Sequence, residues 1–230
     1  MTVQDILNKL SSLGKEDNLK GMSKYGINTS LAYGVTLPEI RAIAKEIGTD
    51  QELAEKLWKT GNHEARILAT VIADPALSDS DLLDDWVEDI NSWDLCDQFC
   101  NNLVHKTAFA MQKILLWCVA DEPFIKRAGF STMANYALKQ PDLREKDIEG
   151  FFSLILSESG DKRNYVRKSV SWALRNIGKR NLHYNRKAVK IAKTMKEDKT
   201  KAASETASEA IKELQKSELL KKLKDKQAET

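Results

Sequence analysis

Nothing in this sequence offers a membrane span: no run of about 18 apolar residues occurs anywhere along its 230 residues. The first residues, Met1-Thr2-Val3-Gln4-Asp5, lack a basic stretch leading into an apolar one, so no secretory signal is expected and the expected compartment is the cytosol. Cys96, Cys100 and Cys118 form an odd set. The first two are spaced for one helical face rather than for a metal knuckle, so all three read as small core residues, not as a disulfide or zinc site. His63, His105 and His183 are scattered without metal-ligand spacing, and no metal is expected. Also missing are a glycine-rich phosphate loop, a nucleophile elbow, a paired-cysteine motif and a dinucleotide fingerprint, so no cofactor is expected. Sustained two-residue alternation bounded by hairpin turns is absent, which excludes a sheet.

What the chain does have is apolar residues returning every three or four positions, and an apolar content of 42% that can bury a real core. This periodicity predicts helices at 3–12, 17–26, 37–47, 50–59, 63–73, 79–88, 92–103, 106–119, 121–138, 144–156, 161–178, 183–196, 201–214 and 215–226. Pro38, Pro75, Pro123 and Pro141 fall where helices begin or connect, beside turn or capping residues. Phe124-Ile125-Lys126-Arg127-Ala128-Gly129-Phe130 aligns with Tyr165-Val166-Arg167-Lys168-Ser169-Val170-Ser171 at an offset of 41 residues, and Ala203 to Ile211 echoes the rhythm about 38 residues later. Helix pairs at that period predict an all-α fold, a curved superhelical solenoid of HEAT-like antiparallel helix pairs. The expected organisation is one repeat domain over 1–230, with a lysine-rich terminal helical cap at about 197–230 that frays at its end. In such an array the second helix of each pair lines the concavity, so Arg66, Asp97, Arg127 and Trp172 are candidates to converge.

The net charge of +2 conceals an asymmetry: residues 1–120 carry 11 Lys and Arg against 18 Asp and Glu, whereas residues 121–230 carry 25 against 16. Clustered basic charge supplies the salt-sensitive, sequence-independent part of nucleic-acid affinity, although lysine-rich helices are most often simply solvated faces. Within the acidic half, Trp93 and Asp97 stand four residues apart, so on a helix an indole and a carboxylate project from one face. Within the basic half, Trp172 sits among Arg167, Lys168 and Arg175, and Gly160-Asp161-Lys162-Arg163-Asn164 feeds its helix. Exposed backbone N–H groups at that helix start favour phosphate, so Lys162, Arg163 and Arg167, with Lys168 and Arg175, are assigned as DNA-backbone contacts. Asp94, next to Trp93, reads as a surface or inter-helix hydrogen-bonding group, Trp58, Trp86 and Trp117 read as packing, and the Tyr25 to Tyr33 stretch reads as a structural loop, with a mobile edge touching DNA as the alternative.

Several pieces in one order resemble the AlkD-type DNA alkylation repair glycosylases, a family of HEAT-like helical solenoids. They are Tyr33-Gly34-Val35-Thr36-Leu37-Pro38-Glu39-Ile40-Arg41, Trp58 followed by His63-Glu64-Ala65-Arg66, Ser92-Trp93-Asp94-Leu95-Cys96-Asp97, Lys126-Arg127-Ala128, and Val166-Arg167-Lys168-Ser169-Val170-Ser171-Trp172-Ala173-Leu174-Arg175. The resemblance implies a catalytic carboxylate at Asp97, cleft tryptophans at Trp93 and Trp172, and a functional arginine at Arg127 that helps keep Asp97 ionised and binds DNA at a backbone phosphate. It implies hydrolysis of the glycosidic bond of cationic N3- or N7-alkylated purines in double-stranded DNA, acting from the sugar side without enclosing the base. A monomer is expected. The rival expectation is a HEAT-like scaffold that binds DNA structure or a protein partner without chemistry.

Overall fold

The computed structural model describes residues 1–197 and 200–228; residues 198–199 and 229–230, part of the expected cap and its fraying end, lie outside the described residues. Among the described residues every regular element is helical. The order is α1 (Val3–Leu13), α2 (Glu16–Lys24), α3 (Leu37–Ile47), α4 (Gln51–Trp58), α5 (His63–Ile72), α6 (Ser80–Glu88), α7 (Trp93–Asn102), α8 (Ala110–Trp117), α9 (Pro123–Lys139), α10 (Glu145–Ser157), α11 (Asn164–Gly178), α12 (Leu182–Glu197), α13 (Lys201–Leu214) and α14 (Ser217–Ala228). The all-α repeat array expected from the periodicity is what forms, and no helix among the described residues is long and apolar enough to cross a membrane.

Local chemistry sets the helix ends. The Thr2 and Thr36 hydroxyls open α1 and α3 in reciprocal capping boxes with Asp5 and Glu39, and Asp50, Asn62 and Asp79 accept first-turn N–H groups of α4, α5 and α6. Several expected helices are shorter, and in two the local chemistry shows why. The one expected over 17–26 stops at Lys24, because the Ile27 N–H turns back to the Met22 carbonyl. The one expected over 106–119 begins at Ala110, because Val104–Lys106 forms a 3-10 turn and the Thr107 N–H and hydroxyl both return to the Val104 carbonyl.

Contacts gather the chain into two compact units, Met1–Ala110 and Met111–Thr230. In the first, α5 is central and packs against α1, α3, α4 and α7. It is buried on almost every side, through Ala65, Ile67, Leu68, Ala69 and Ile72. Beside it Trp58 and Trp86 stack with centroids 4.2 Å apart and planes 3° from parallel, Phe99 fills the flank, and Arg66 lies 5.1 Å above the Trp58 ring. In the second unit α9, α11 and α13 lie side by side, starting 41 and then 37 residues apart, while α10 and α12 pack against α11 from the other layer. All three cysteines are free and buried.

The layer in the second unit depends on one close approach. A Cβ added at Gly129 of α9 would lie 2.4 Å from the Cys118 amide nitrogen and 2.7 Å from the Trp117 carbonyl carbon. Both neighbours are backbone, so no rotamer change relieves the clash. Gly129→Ala is therefore expected to destabilise the protein by about 1–3 kcal/mol in urea unfolding, despite the better helix propensity of alanine.

Candidate functional site

Helix α7 buries Leu95, Cys96, Phe99 and Cys100, and this stripe leaves Trp93, Asp94 and Asp97 half-buried along its edges. Trp93 and Asp97 thus sit one turn apart on one flank, as their spacing predicts. The indole is held at its polar edge, with Trp93 Nε1 donating to the Tyr25 carbonyl at 3.0 Å. Its ring also walls a groove of about 460 Å³ together with Met22, Tyr25, Ile27 and Val35.

Asp94 acts between helices, one of the two roles its sequence position allows: its Oδ2 lies 2.9 Å from His63 Nε2 at the start of α5. Burial pushes the Asp94 carboxyl up, but the hydrogen bond and charge of His63 outweigh it and hold the group below the ordinary carboxylate range. The neighbouring Glu64 has no exposed surface. Its carboxyl accepts the backbone N–H groups of Tyr33 (2.9 Å), Gly34 (2.7 Å) and Val35 (3.2 Å). Asn62 Nδ2 and the His63 amide both donate to the Leu31 carbonyl, at 3.0 and 2.8 Å. The first turn of α5 therefore grips both the 31–35 segment and α7.

This hub was missed by sequence reasoning beyond the motif that contains it, yet a signal exists. Glu64 lies four and eight residues before Leu68 and Ile72, so it falls on the apolar stripe, where a carboxylate needs dedicated donors. Arg66, a candidate to line the same surface as Asp97, is committed elsewhere: its guanidinium bonds the Trp58 carbonyl, the Asp89 carbonyl and Asp89 Oδ2 at 3.2, 3.0 and 3.0 Å.

In the second unit, Trp172 is half-buried and packs against the core. Lys168 and Arg175 lie four residues before it and three after, on the same side of α11. Arg127 is 5% exposed, and its Nη1 donates to the Tyr165 carbonyl at 2.7 Å, joining α9 to the first turn of α11. Arg163 pairs with Asp161 and bonds the Asp121 carbonyl, Arg167 pairs with Glu205, and Arg175 pairs with Glu213. Of the residues assigned to the DNA backbone, Lys162 and Lys168 are the exposed ones. A separate groove of about 790 Å³ lies at the other end of α11, where Lys139, Lys179, Arg180, His183 and Lys226 contribute to its wall. Among the described residues no group of three His, Cys, Asp or Glu side chains is placed to hold a metal ion.

The family model described as DNA alkylation repair enzyme matches residues 6–214, and the chain belongs to that family. A solved structure described as "A new family of proteins related to the HEAT-like repeat DNA glycosylases with affinity for branched DNA structures" is 24% identical, with a TM-score of 0.80 over 92% of this chain and 94% of that one. At that identity the likeness establishes the HEAT-like fold. A designed armadillo repeat protein is 14% identical, with a TM-score of 0.37 over 77% of this chain and 92% of its own. Comparison with curated proteins gives no match.

The His63 and Asp94 pair predicts a defined pH dependence. Because the folded carboxyl titrates lower than the unfolded one, its stabilisation is in place above the unfolded value, near about 4, and is lost as pH falls through the lower folded value. Asp94→Asn is expected to cost about 1–3 kcal/mol near neutrality. In urea unfolding from pH 3 to 7, the gap to the wild type should close only below about pH 4.

Proposed function

We propose that the protein is a DNA glycosylase that hydrolyses the N-glycosidic bond of cationic N3- or N7-alkylated purines in duplex DNA. The observation that carries this reading is the Trp93 and Asp97 flank of α7, half-buried and held in register, in a chain of the DNA alkylation repair enzyme family. Alkylation at purine N3 or N7 makes the base cationic and weakens its bond to the sugar, so a modest catalyst suffices. Asp97 stabilises oxocarbenium-like charge on the deoxyribose and orients water for attack at the anomeric carbon. Trp93, on the same flank of α7 as Asp97, offers an electron-rich face to that positive charge, worth roughly 0.5–2 kcal/mol. The DNA backbone is met from the Lys162 to Arg175 region. There the exposed Lys162 and Lys168 reach phosphate without giving up an ion pair, whereas Arg163, Arg167 and Arg175 each have an intramolecular carboxylate to exchange.

One further reading has its own support. The relative related to the HEAT-like repeat DNA glycosylases is described as having affinity for branched DNA structures, and the basic groove at the far end of α11 suits a protein that binds DNA structure without chemistry.

Incubation with a duplex carrying a single N7-methylguanine separates the two. Release of free base that falls by at least about 10²- to 10³-fold in Asp97→Asn, with DNA affinity retained, is the outcome expected of a glycosylase. Undiminished release in that variant removes Asp97 from the mechanism, and no release from the wild type, with salt-sensitive DNA binding intact, leaves the scaffold reading. Substituting Lys162 or Lys168 by Gln is expected to reduce the slope of log affinity against log salt concentration by about 0.9 for each phosphate that is no longer neutralised.

A further inference from the structure

Trp93 is not oriented by its own helix alone. The chain from Tyr25 to Val35 leaves the end of α2 and returns toward α3, and it is fastened at separate points to two other helices. At its start the Tyr25 carbonyl receives the Trp93 indole N–H; in its middle the Leu31 carbonyl receives Asn62 Nδ2 and the His63 amide; at its end three consecutive N–H groups converge on Glu64. Gly34 makes this last contact possible. Its φ is +80°, and a Cβ there would lie 2.4 Å from the Lys15 carbonyl oxygen, so the strap is pressed between α2 and the carboxyl of Glu64. The backbone of α7 is fastened to the same turn of α5 by His63 and Asp94, the residue after Trp93.

We propose that Glu64 is a positioning residue for Trp93: by anchoring the strap it holds the Tyr25 carbonyl where the indole N–H must meet it, and so sets the angle of the ring beside Asp97. The strap is the acceptor side of the Trp93 hydrogen bond, and it carries no regular element of its own between α2 and α3. The Glu64 anchor reaches Tyr25 through α2: the Gly34 carbonyl accepts from the Lys15 N–H and Asn18 Nδ2 at the start of that helix, and Tyr25 closes its last turn with its N–H on the Met22 carbonyl. Releasing Gly34 therefore frees the helix that carries the indole's acceptor. Asp94 and His63 hold the helix backbone, whereas Glu64 and the strap hold the side chain. The functional consequence rests on the glycosylase reading, but the positioning itself does not.

The test begins with the indole protons, which report the hydrogen bond whether or not the protein is catalytic. The chain has five tryptophans, and Trp93→Phe identifies the Trp93 indole resonance by its disappearance. In Glu64→Gln the amide presents its NH₂ group to a cluster of donors, and the Trp93 indole N–H is expected to shift and to lose protection against hydrogen exchange while the other indoles keep theirs. Glu64→Asp, which withdraws the carboxyl by one methylene, should give a smaller shift in the same direction and decides the matter if Glu64→Gln unfolds. Trp93 protection that survives in a folded Glu64 variant, while the amides of Tyr33, Gly34 and Val35 lose theirs, overturns the proposal.

Base release then gives the functional arm. Glu64→Gln is expected to lower kcat by about 10- to 100-fold with KM nearly unchanged, and to have no further effect in a Trp93→Phe background. A rate loss of the same size in both backgrounds assigns Glu64 a general structural role and overturns the proposal. A wild type without base release, but with a Glu64-dependent Trp93 indole signal, rejects the glycosylase reading alone.

Discussion

A carboxyl group with no access to water must be surrounded by donors, and much of the first unit is arranged around meeting that demand at Glu64. Removing a carboxylate from water costs several kcal/mol unless hydrogen bonds replace its hydration. Here the replacements come from three consecutive backbone N–H groups of a segment that has no helix or strand to satisfy them. Each side resolves the other's deficit: the strap finds acceptors, and the buried acid finds donors. The neighbouring Asn62 and His63 extend the arrangement to the Leu31 carbonyl and to Asp94 on α7. One helix turn thereby fixes the strap and the helix that bears Trp93 and Asp97.

The second unit solves a different problem with the same economy. Its excess of Lys and Arg is partly consumed internally, since Arg163, Arg167 and Arg175 hold carboxylates and Arg180 caps the carbonyls of Ala137, Gln140 and Pro141. Burial pushes the Glu213 carboxyl up, but Lys179 and Arg175 outweigh it and hold it below its ordinary range. Arg167 and Arg175 tie α11 to α13 across the repeat, so these basic residues are first of all inter-helix connectors. Positive charge counted along the sequence overstates what a phosphate would meet.

The helical class, the repeat interval and the pairing of Trp93 with Asp97 were legible because each depends on spacing along one chain. Apolar residues at three- and four-residue intervals define a helix and its buried stripe, and two side chains four residues apart share a flank whatever packs beyond them. The Tyr25 to Tyr33 stretch was readable only as a loop, because its anchors lie some 30 residues downstream at Asn62, His63 and Glu64, and 68 residues downstream at Trp93. The arginines looked alike in sequence. Arg66 is committed to Asp89, Arg127 to the Tyr165 carbonyl and Arg175 to Glu213, at separations no local pattern encodes.

By itself, then, the sequence determined what is local: helices and their caps, the rhythm of the repeats, the free and buried state expected of the cysteines, and the alignment of Trp93 with Asp97 on one helix. Tertiary structure decided which charges face solvent, which are spent on other charges, and where the Trp93 indole finds its acceptor. The physical reason is that periodicity specifies a direction from a helix axis, whereas hydrogen bonds and ion pairs depend on what arrives from elsewhere in the chain. Only burial made Glu64 dependent on three backbone donors some 30 residues away.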